Sequence, residues 1–234
     1  MTAPLRDNLH GLLQDLHRLT AAAGRPGDSV CLVAVSKSRT VDEIRQALAT
    51  GLRHFGENYA QEFSEKYSAL KDEAISWHFI GHLQSNKVKL VCHPDVLIHT
   101  VDRLSLAQQI SRTALQNGFV QRCLIQVKLT KETAKSGCDP KTLPQLLQEI
   151  IKLPALDVCG LMAIGSLTDN PEATRQEFQH LHLLRDELNA TLKLASPLTE
   201  LSMGMSHDFE PAILAGATII RIGTRIFGER KKSL

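Results

Sequence analysis

The sequence predicts an α/β fold, a single-domain (β/α)8 barrel of the TIM type. Short apolar runs rich in β-branched residues recur along the chain, amphipathic helical patterns lie between them, and no glycine-rich linker divides the 234 residues. A chain of this length can form one such barrel. An open, doubly wound sheet would also fit the alternation, but it usually has fewer strands. The predicted strands are Val30–Ser36, His54–Glu57, Ser76–Ile80, Val96–Val101, Cys123–Leu129, Leu156–Ile164, Leu198–Ser202 and Thr218–Ile222.

An amphipathic helix opens the chain, ahead of the first strand. Its apolar stripe repeats at spacings of four and three residues and comprises Leu5, Leu9, Leu12, Leu16 and Leu19. The stripe fits packing on its own domain or a short coiled-coil seam. Glycine and proline between Ala21 and Asp28 end this helix. We therefore expect residues 1–28 to form an N-terminal helix that packs on the barrel and residues 29–234 to form the barrel, one domain overall.

Helical faces follow the strands, as a parallel barrel requires. After the first strand, Val41, Ile44 and Leu48 share one face of a helix. Two later helices carry longer apolar faces, made by Leu143, Leu146, Leu147, Ile150 and Ile151 and by Leu181, Leu184, Leu188 and Leu192.

Composition excludes several classes of protein. The net charge of +2 is near neutral, so no strong field favours nucleic acid or an anionic membrane. No apolar segment is long enough to span a bilayer, and no signal-peptide core precedes the first strand. The five cysteines form an odd number without a C-x-x-C pair, which argues against a disulfide framework and against a zinc site. We expect a cytoplasmic protein without a bound metal.

Lys37 is the residue that points most directly to chemistry. It follows the first predicted strand, at the carboxyl end where α/β barrels carry their functional residues. An ammonium held against an apolar core is partly desolvated, which favours the neutral, nucleophilic amine that forms Schiff bases. An exposed loop lysine is the alternative at this position.

Two loops rich in glycine and hydroxyl groups predict a phosphate site. They follow the seventh and eighth strands, where barrels often bind phosphate beside a short extra helix. Backbone N–H groups converge there, glycine allows close approach and hydroxyls donate hydrogen bonds, although ordinary turns and caps use the same residues. The loops contain Ser202, Met203, Gly204 and Ser206 in one case and Gly223 and Thr224 in the other. With Lys37, they favour a ligand that carries an aldehyde and a phosphate.

Seven motifs occur in order between Val30 and Gly228. They are Val33–Lys37, Phe55–Tyr59, Trp77–Gln84, Ser136–Gly137, Gly160–Ile164, Leu201–Ser206 and Ile220–Thr224. Together they resemble the YggS/PROSC family, the pyridoxal 5′-phosphate (PLP) homeostasis proteins. The resemblance implies a barrel like the PLP domain of alanine racemase, with PLP held as an internal aldimine on Lys37. It also implies a role in intracellular PLP homeostasis and in amino-acid and 2-oxo-acid balance, without established catalytic turnover.

The resemblance assigns expected roles to individual residues. Ser202 and the Gly223–Thr224 segment would hold the phosphate, and Asn58 would lie near the ring. Arg221 would face the pyridine nitrogen, where it can donate a hydrogen bond but cannot accept a proton, so PLP would act as a weaker electron sink. The full expected cofactor-binding set is Lys37, Asn58, His82, Ser202, Met203, Ser206, Arg221, Gly223 and Thr224.

Two positions depart from the family pattern. His82 stands where proline is also usual, and it either touches the cofactor face or caps the helix that begins near Gln84. Ser206-His207-Asp208 replaces an acidic pair, and His207 is expected in the first turn of a helix.

Two classes of enzyme remain as alternatives. A racemase or decarboxylase needs an acid–base group on the ring face opposite the lysine, often a tyrosine from a second, β-rich domain in the racemases that this chain resembles. The only tyrosines are Tyr59 and Tyr67, and no such domain is expected after Ile222. A Schiff-base sugar-phosphate barrel enzyme would need further acid–base residues at strand ends, and Glu57 and Asp102 occupy such places.

The expected partners are PLP itself and PLP-dependent apo-enzymes that receive it, and a monomer is the expected state. The polar stretch from Lys128 to Gly137 reads as a solvated loop, with gating of the pocket or a second PLP site as the alternatives.

Overall fold

The computed structural model describes residues 3–129, 136–166, 168 and 170–229. Its centre is a closed barrel in which eight parallel strands follow one another in sequence order, from β1 to β8. The last strand pairs with the first, with Cys31 opposite Ile219 and Ala34 opposite Ile222. The strands are β1 Cys31–Val35, β2 His54–Glu57, β3 Ser76–Phe79, β4 Val96–Val101, β5 Gln121–Gln126, β6 Leu156–Met162, β7 Glu200–Ser202 and β8 Ile219–Ile222. The predicted fold class, a single-domain (β/α)8 barrel, is confirmed.

Helices surround this barrel and connect its strands. The longest, α7, follows β6 and begins at Asn170, whose side chain accepts hydrogen bonds from the N–H groups of Glu172 and Ala173. A short 3₁₀ helix, Ser85–Lys87, leads into α4. The helices are α1 Ala3–Ala22, α2 Val41–Leu48, α3 Ala60–Ala69, α4 Val88–Val91, α5 Leu104–Gln116, α6 Leu143–Ile150, α7 Pro171–Thr191, α8 Phe209–Leu214 and α9 Thr224–Phe227.

Strand ends differ slightly from the sequence prediction. The bounds of β2 and β4 match, whereas the apolar run of β6 continues to Ile164 although the strand ends at Met162. Likewise β7 begins at Glu200 rather than at the predicted Leu198. Apolar residues also lie in the loops just beyond either end of a strand, so hydrophobicity alone does not locate the first or the last ladder residue.

Two apolar layers stabilise the barrel. The larger lies between the strands and the helices and includes fully buried Phe55, Phe63 and Phe178. The smaller joins residues of β1 and β8 to residues of β4, β5 and β6 on the opposite side of the barrel, so it fills the barrel interior. Its buried members are Val33, Leu97, Leu124, Cys159, Met162 and Ile219.

The N-terminal helix packs on the rest of the chain. The five leucines of its predicted stripe are all at most 7% exposed, as packing on its own domain requires. The side-chain amide of Asn8 donates a hydrogen bond to the Ile226 carbonyl in α9, and Arg225 pairs with Asp15 at 2.9 Å. None of the helices within the described ranges is both long and apolar enough to cross a membrane.

Candidate functional site

Lys37 lies in the loop after β1, at the carboxyl end of the barrel. The chain leaves the strand at Ser36, whose N–H still donates to the Gly56 carbonyl of β2 at 2.9 Å. Lys37 is half-buried and lines a cavity of about 320 Å³ at this end. The structure therefore places the lysine in a pocket rather than on a solvated loop.

A buried ion pair fixes the residue before Lys37. The ammonium of Lys66, from α3, donates to the Glu57 carboxylate at 2.7 Å and to the Ser36 carbonyl at 2.7 Å. The Ser36 hydroxyl donates to the same Glu57 oxygen at 2.7 Å. Burial raises the pKa of Glu57, and the Lys66 ammonium and the two hydrogen bonds oppose that shift. The pair holds the end of β1 in place, so the lysine projects from a rigid base.

The residue after Lys37 is held as well. Ser38 adopts a left-handed backbone conformation with φ of 60°, which is unusual for a residue with a Cβ. Its N–H donates to Glu62 at 2.6 Å, and Glu62 also binds Lys66. One residue further on, Arg39 donates to the Gly228 carbonyl at 2.6 Å. Both flanks of Lys37 are therefore fixed by α3 and by the end of α9.

The cavity brings together six of the nine predicted cofactor-binding residues. These six are Lys37, Asn58, Ser206, Arg221, Gly223 and Thr224. Apolar residues from β1, β6 and the loops after β3, β6 and β7 complete the lining, together with His207. Ser202 and Met203 are fully buried and do not line it. His82 does not line it either, because its exposed side chain lies 3.5 Å from the Ser136 hydroxyl, on the loop after β5.

The structure bears on the role of His82 after β3, but not on the predicted gate after β5. The 3₁₀ helix begins after Gln84 as its N-cap, so His82 is not the capping residue. Residues 130–135, the greater part of the predicted Lys128–Gly137 gate, lie outside the described residues.

Asn58 lines the cavity, and its backbone approaches Gly81 so closely that a Cβ on Gly81 would overlap the Asn58 carbonyl.

Arg221 forms the polar floor of the cavity. Its side chain comes from β8, donates to the Ser202 hydroxyl at 2.7 Å and donates to the Ala163 carbonyl at 3.0 Å. Burial lowers the pKa of Arg221 to about 10, and the Asp208 carboxylate opposes that shift, so the guanidinium stays charged at neutral pH. A guanidinium has five N–H donors, so these two contacts leave donors for a ligand.

A chain of histidines continues below Arg221, through the barrel interior. The Ser202 hydroxyl lies 2.8 Å from Nδ1 of His99, Nε2 of His99 lies 2.9 Å from Nδ1 of His78, and Nε2 of His78 lies 3.1 Å from Nδ1 of His54. Burial lowers the pKa of His78 to about 3 and that of His99 well below its ordinary value. Both rings are therefore neutral, each with one donor and one acceptor.

Sequence reasoning missed this chain and the Glu57–Lys66 pair. A signal was available for the histidines, since His54, His78 and His99 lie on three successive strands, at positions that alternate with core residues facing the helices. Lys66 carried no local signal, because it lies within an ordinary helical pattern and its partner is on another element.

The two predicted phosphate loops border the cavity from one side. Gly204 has φ of 94°, and a Cβ there would lie 2.7 Å from the Ala212 Cβ, so the turn after β7 requires glycine. The Asp208 carboxylate accepts a hydrogen bond from the Met205 N–H. His207 was predicted to lie in the first turn of a helix, but α8 begins only at Phe209, so His207 belongs to the turn before it. The turn thus presents Ser206 at the cavity.

The second predicted phosphate loop, after β8, contains Gly223 and Thr224. Gly223 is the N-cap of α9 and Thr224 is its first residue. Gly223 has φ of −114° and space for a Cβ at ordinary contact distance from Val35, so the protein itself does not require glycine there. The first N–H groups of a helix have no partner within the helix, and Thr224 adds a hydroxyl. A small residue at 223 leaves room for an anion at this corner of the cavity.

These residues fit a phosphate-bearing aldehyde. An amine on a fixed loop, a buried cation on the floor and a corner of hydroxyls and glycine line one cavity. Such a set can bind an aromatic aldehyde at one end and a dianion at the other.

The fold and site are those of barrels related to the N-terminal domain of alanine racemase. The family described as "Alanine racemase, N-terminal domain" matches residues 8–231 of this chain. The chain belongs to the family of pyridoxal phosphate homeostasis proteins. It is 45% identical to the "Pyridoxal phosphate homeostasis protein" of Aquifex aeolicus, over 96% of this chain and 98% of that one.

Two solved structures are similar to this chain. The crystal structure of an "unknown protein" from Bifidobacterium adolescentis is 36% identical, with a TM-score of 0.90 over 96% of this chain and 94% of that one. PipY of Synechococcus elongatus, solved with PLP bound, is 37% identical, with a TM-score of 0.79 over 91% of this chain and 99% of that one.

Proposed function

We propose that this chain binds PLP at Lys37 and takes part in intracellular PLP homeostasis as a carrier rather than as an enzyme. One observation carries the proposal: Lys37, Arg221 and Thr224 line the same cavity, at the carboxyl end of a barrel. An amine, a ring-binding cation and a phosphate-binding corner are the groups that PLP needs. The PLP bound to the related PipY supports the choice of ligand.

Lys37 would hold PLP through its side-chain amine, the group that suits the aldehyde of this ligand. When bound, PLP supplies an electron sink, whose strength depends on protonation of its ring nitrogen. The contacts of Ser36 and Ser38 hold the loop on either side of Lys37, so little backbone entropy is lost when the ligand binds.

Arg221 gives the site its electronic character. Arg221 would donate a hydrogen bond to the ring nitrogen and could not accept its proton, so PLP held here would be a weaker electron sink. Its contacts with Ser202 and Ala163 fix the guanidinium without any ligand. A site of this kind can hold PLP while it offers less help to carbanion chemistry, although Arg221 alone does not exclude catalysis.

The tyrosines give further support for a carrier. Tyr59 is 58% exposed at the start of α3, and Tyr67 donates to Asp95 at 2.7 Å. Burial, with Asp95, raises the pKa of Tyr67 to about 12. Neither tyrosine lines the cavity, so within the described residues no tyrosine is placed as the second acid–base group of a racemase.

The strand-end carboxylates favour the same conclusion over a sugar-phosphate enzyme. Glu57 is fully buried against Lys66 and Ser36, and Asp102 pairs with Arg103 at 2.6 Å. Neither lines the cavity. Both carboxylates serve the scaffold, which leaves an aldolase mechanism without its acid–base residues at these two places.

The proposed recipients are apo-forms of PLP-dependent enzymes, and the proposed carrier is a monomer in the cytoplasm. The PLP-loaded protein is mixed with a PLP-free decarboxylase or aminotransferase, and recovery of that enzyme's activity is followed. Recovery faster than from an equal concentration of free PLP, with no amino-acid turnover by the carrier alone, is the expected result. Racemisation or decarboxylation by the carrier itself would overturn the proposal, with Lys37→Ala as the control for contaminating enzyme.

A further inference from the structure

Three metal-ligating side chains meet at the amino end of the barrel, opposite the Lys37 cavity. Cys31 is the first residue of β1, His54 is the first residue of β2, and His78 lies within β3. Each offers one ligand atom, and the three atoms lie within 4.8 Å of one another. The C-x-x-C spacing that marks many zinc sites is absent, so the sequence predicted no metal; the cluster arises because three adjacent strands point these side chains inward.

The separation of the two histidine nitrogens suits a transition-metal ion of the zinc type. Nδ1 of His54 and Nε2 of His78 are 3.1 Å apart, close to the separation of two nitrogens on one tetrahedral Zn²⁺ with bonds of roughly 2.0–2.1 Å. The two rings are inclined by 55° and their nitrogens are in hydrogen-bond contact, so an ion bound by both would replace that hydrogen bond. A thiolate with two imidazoles is a donor set that Zn²⁺ prefers over Mg²⁺ or Ca²⁺.

The surroundings of His78 match those of a metal ligand. A ligating histidine usually donates its second N–H to another group, which fixes the ring. Nδ1 of His78 lies 2.9 Å from Nε2 of His99, so coordination through Nε2 leaves the other nitrogen correctly engaged. Binding of an ion to Nε2 of His78 would therefore leave the contact between His78 and His99 unchanged.

An access route reaches the cluster from outside. Cys31 and His54 line a second cavity, of about 600 Å³, between α1 and the amino ends of β1 and β2. The same cavity leaves room for a solvent molecule or a fourth ligand on the ion. Three protein ligands with one open position are typical of reactive rather than purely structural zinc sites.

One acidic and one basic side chain lie near the cluster, so one favours and the other opposes the binding of a cation. Glu200 places negative charge near Cys31, and Arg122 places positive charge near His78. A bound dication would displace the proton of the Cys31 thiol, which becomes a thiolate ligand, and release it to solvent. The resulting charge of the Cys31–ion unit is then balanced in part by Glu200.

We propose that Cys31, His54 and His78 form a binding site for Zn²⁺ at the amino end of the barrel. The site is distinct from the PLP cavity and goes beyond the proposed function, since it lies at the other end of the strands. Its three ligands come from three adjacent strands, so the ion would link β1, β2 and β3 to one another.

Metal binding to the full chain tests the proposal. Chelator-treated protein is titrated with Zn²⁺ in competition with a chromophoric chelator, and with Co²⁺ to detect a thiolate-to-metal absorption band. One equivalent of Zn²⁺ and a Co²⁺–thiolate band are expected. Cys31→Ser and His54→Gln should each weaken Zn²⁺ binding by at least about 100-fold, because losing a ligand costs more than losing an outer-shell partner.

Matched controls make the result specific. Cys92→Ser replaces a buried cysteine in the layer outside the strands, whereas Cys31 is half-buried, and it should leave Zn²⁺ binding unchanged. PLP loading and circular dichroism show that each variant is folded. The proposal is overturned if the unaltered chain binds no Zn²⁺, if its Co²⁺ complex lacks the thiolate band, or if both ligand variants bind Zn²⁺ as tightly as the unaltered chain does. If Cys31→Ser does not fold, His54→Gln and the Co²⁺ band decide.

Discussion

The guanidinium of Arg221 donates a hydrogen bond of 2.7 Å to the Ser202 hydroxyl, which in turn lies 2.8 Å from Nδ1 of His99. The hydroxyl is fully buried, so the contact is made inside the barrel and not through solvent. Arg221 is therefore oriented before any ligand arrives, and Ser202 acts on the cavity through Arg221.

Replacing Arg221 by lysine should weaken PLP binding on the order of 10- to 100-fold. The lysine ammonium keeps the positive charge but lacks the planar array of donors of a guanidinium. It cannot donate hydrogen bonds to the Ser202 hydroxyl and the Ala163 carbonyl and also to a ring nitrogen. The dissociation constant is measured by absorbance titration. Arg225→Lys is the matched control, because Arg225 is 40% exposed in its pair with Asp15, and equal losses in the two variants would contradict a specific role for Arg221.

Thr224→Val should weaken the binding of PLP about tenfold and should change the binding of pyridoxal, which has no phosphate, much less. Valine keeps the shape of the side chain and removes the hydroxyl that we place on the phosphate, at a cost of about 1–1.5 kcal/mol. Thr191→Val, on α7, is the control, since that hydroxyl bonds only to the Glu187 carbonyl of its own helix. Equal losses for both ligands would place the phosphate elsewhere.

Lys66→Met should lower the free energy of unfolding by roughly 3–5 kcal/mol, because it leaves the fully buried Glu57 carboxylate without its cation. Urea unfolding measures the change. The control is Lys152→Met, which breaks the exposed pair with Glu149 and should cost about 1 kcal/mol or less. Adding Glu57→Gln to Lys66→Met should recover part of the loss, and a double variant as unstable as the sum of the singles would refute the coupling.

Ser38→Gly should be neutral or should stabilise the protein by up to about 1 kcal/mol, because glycine adopts a φ of 60° without steric cost. Ser38→Val should destabilise it, since a β-branched residue is strongly disfavoured there. Both variants keep the backbone N–H that donates to Glu62. Thermal unfolding compares them, and a more stable valine variant would show that the loop does not hold this conformation in solution.

The sequence predicted the barrel well because the information for it is local. Each strand is a short apolar run and each helix has a periodic face, so the elements from β1 to β8 could be found one by one. Lys37 and Thr224 could be placed at the cavity for a related reason, since parallel strands bring all their carboxyl ends to the same face.

The parts that the sequence did not predict depend on contacts between distant elements. Ser202 lies near the phosphate loops in sequence, but its side chain points into the barrel towards Arg221 and His99, because successive residues of a strand face opposite sides. The Lys66–Glu57 pair joins α3 to β2, and no spacing rule identifies it. Only the closed barrel brings Cys31 and His78 together.

The most direct test of the account is to load the protein with PLP, reduce it with borohydride and map the modified peptide by mass spectrometry. Lys37 is half-buried in the cavity. Exposed lysines such as Lys152 lie outside it and should react with PLP only non-specifically. The account predicts a pyridoxyl-phosphate mass on Lys37 at close to one equivalent, and its loss in a folded Lys37→Ala variant. A modification spread over exposed lysines, or an equal yield in Lys37→Ala, would contradict it.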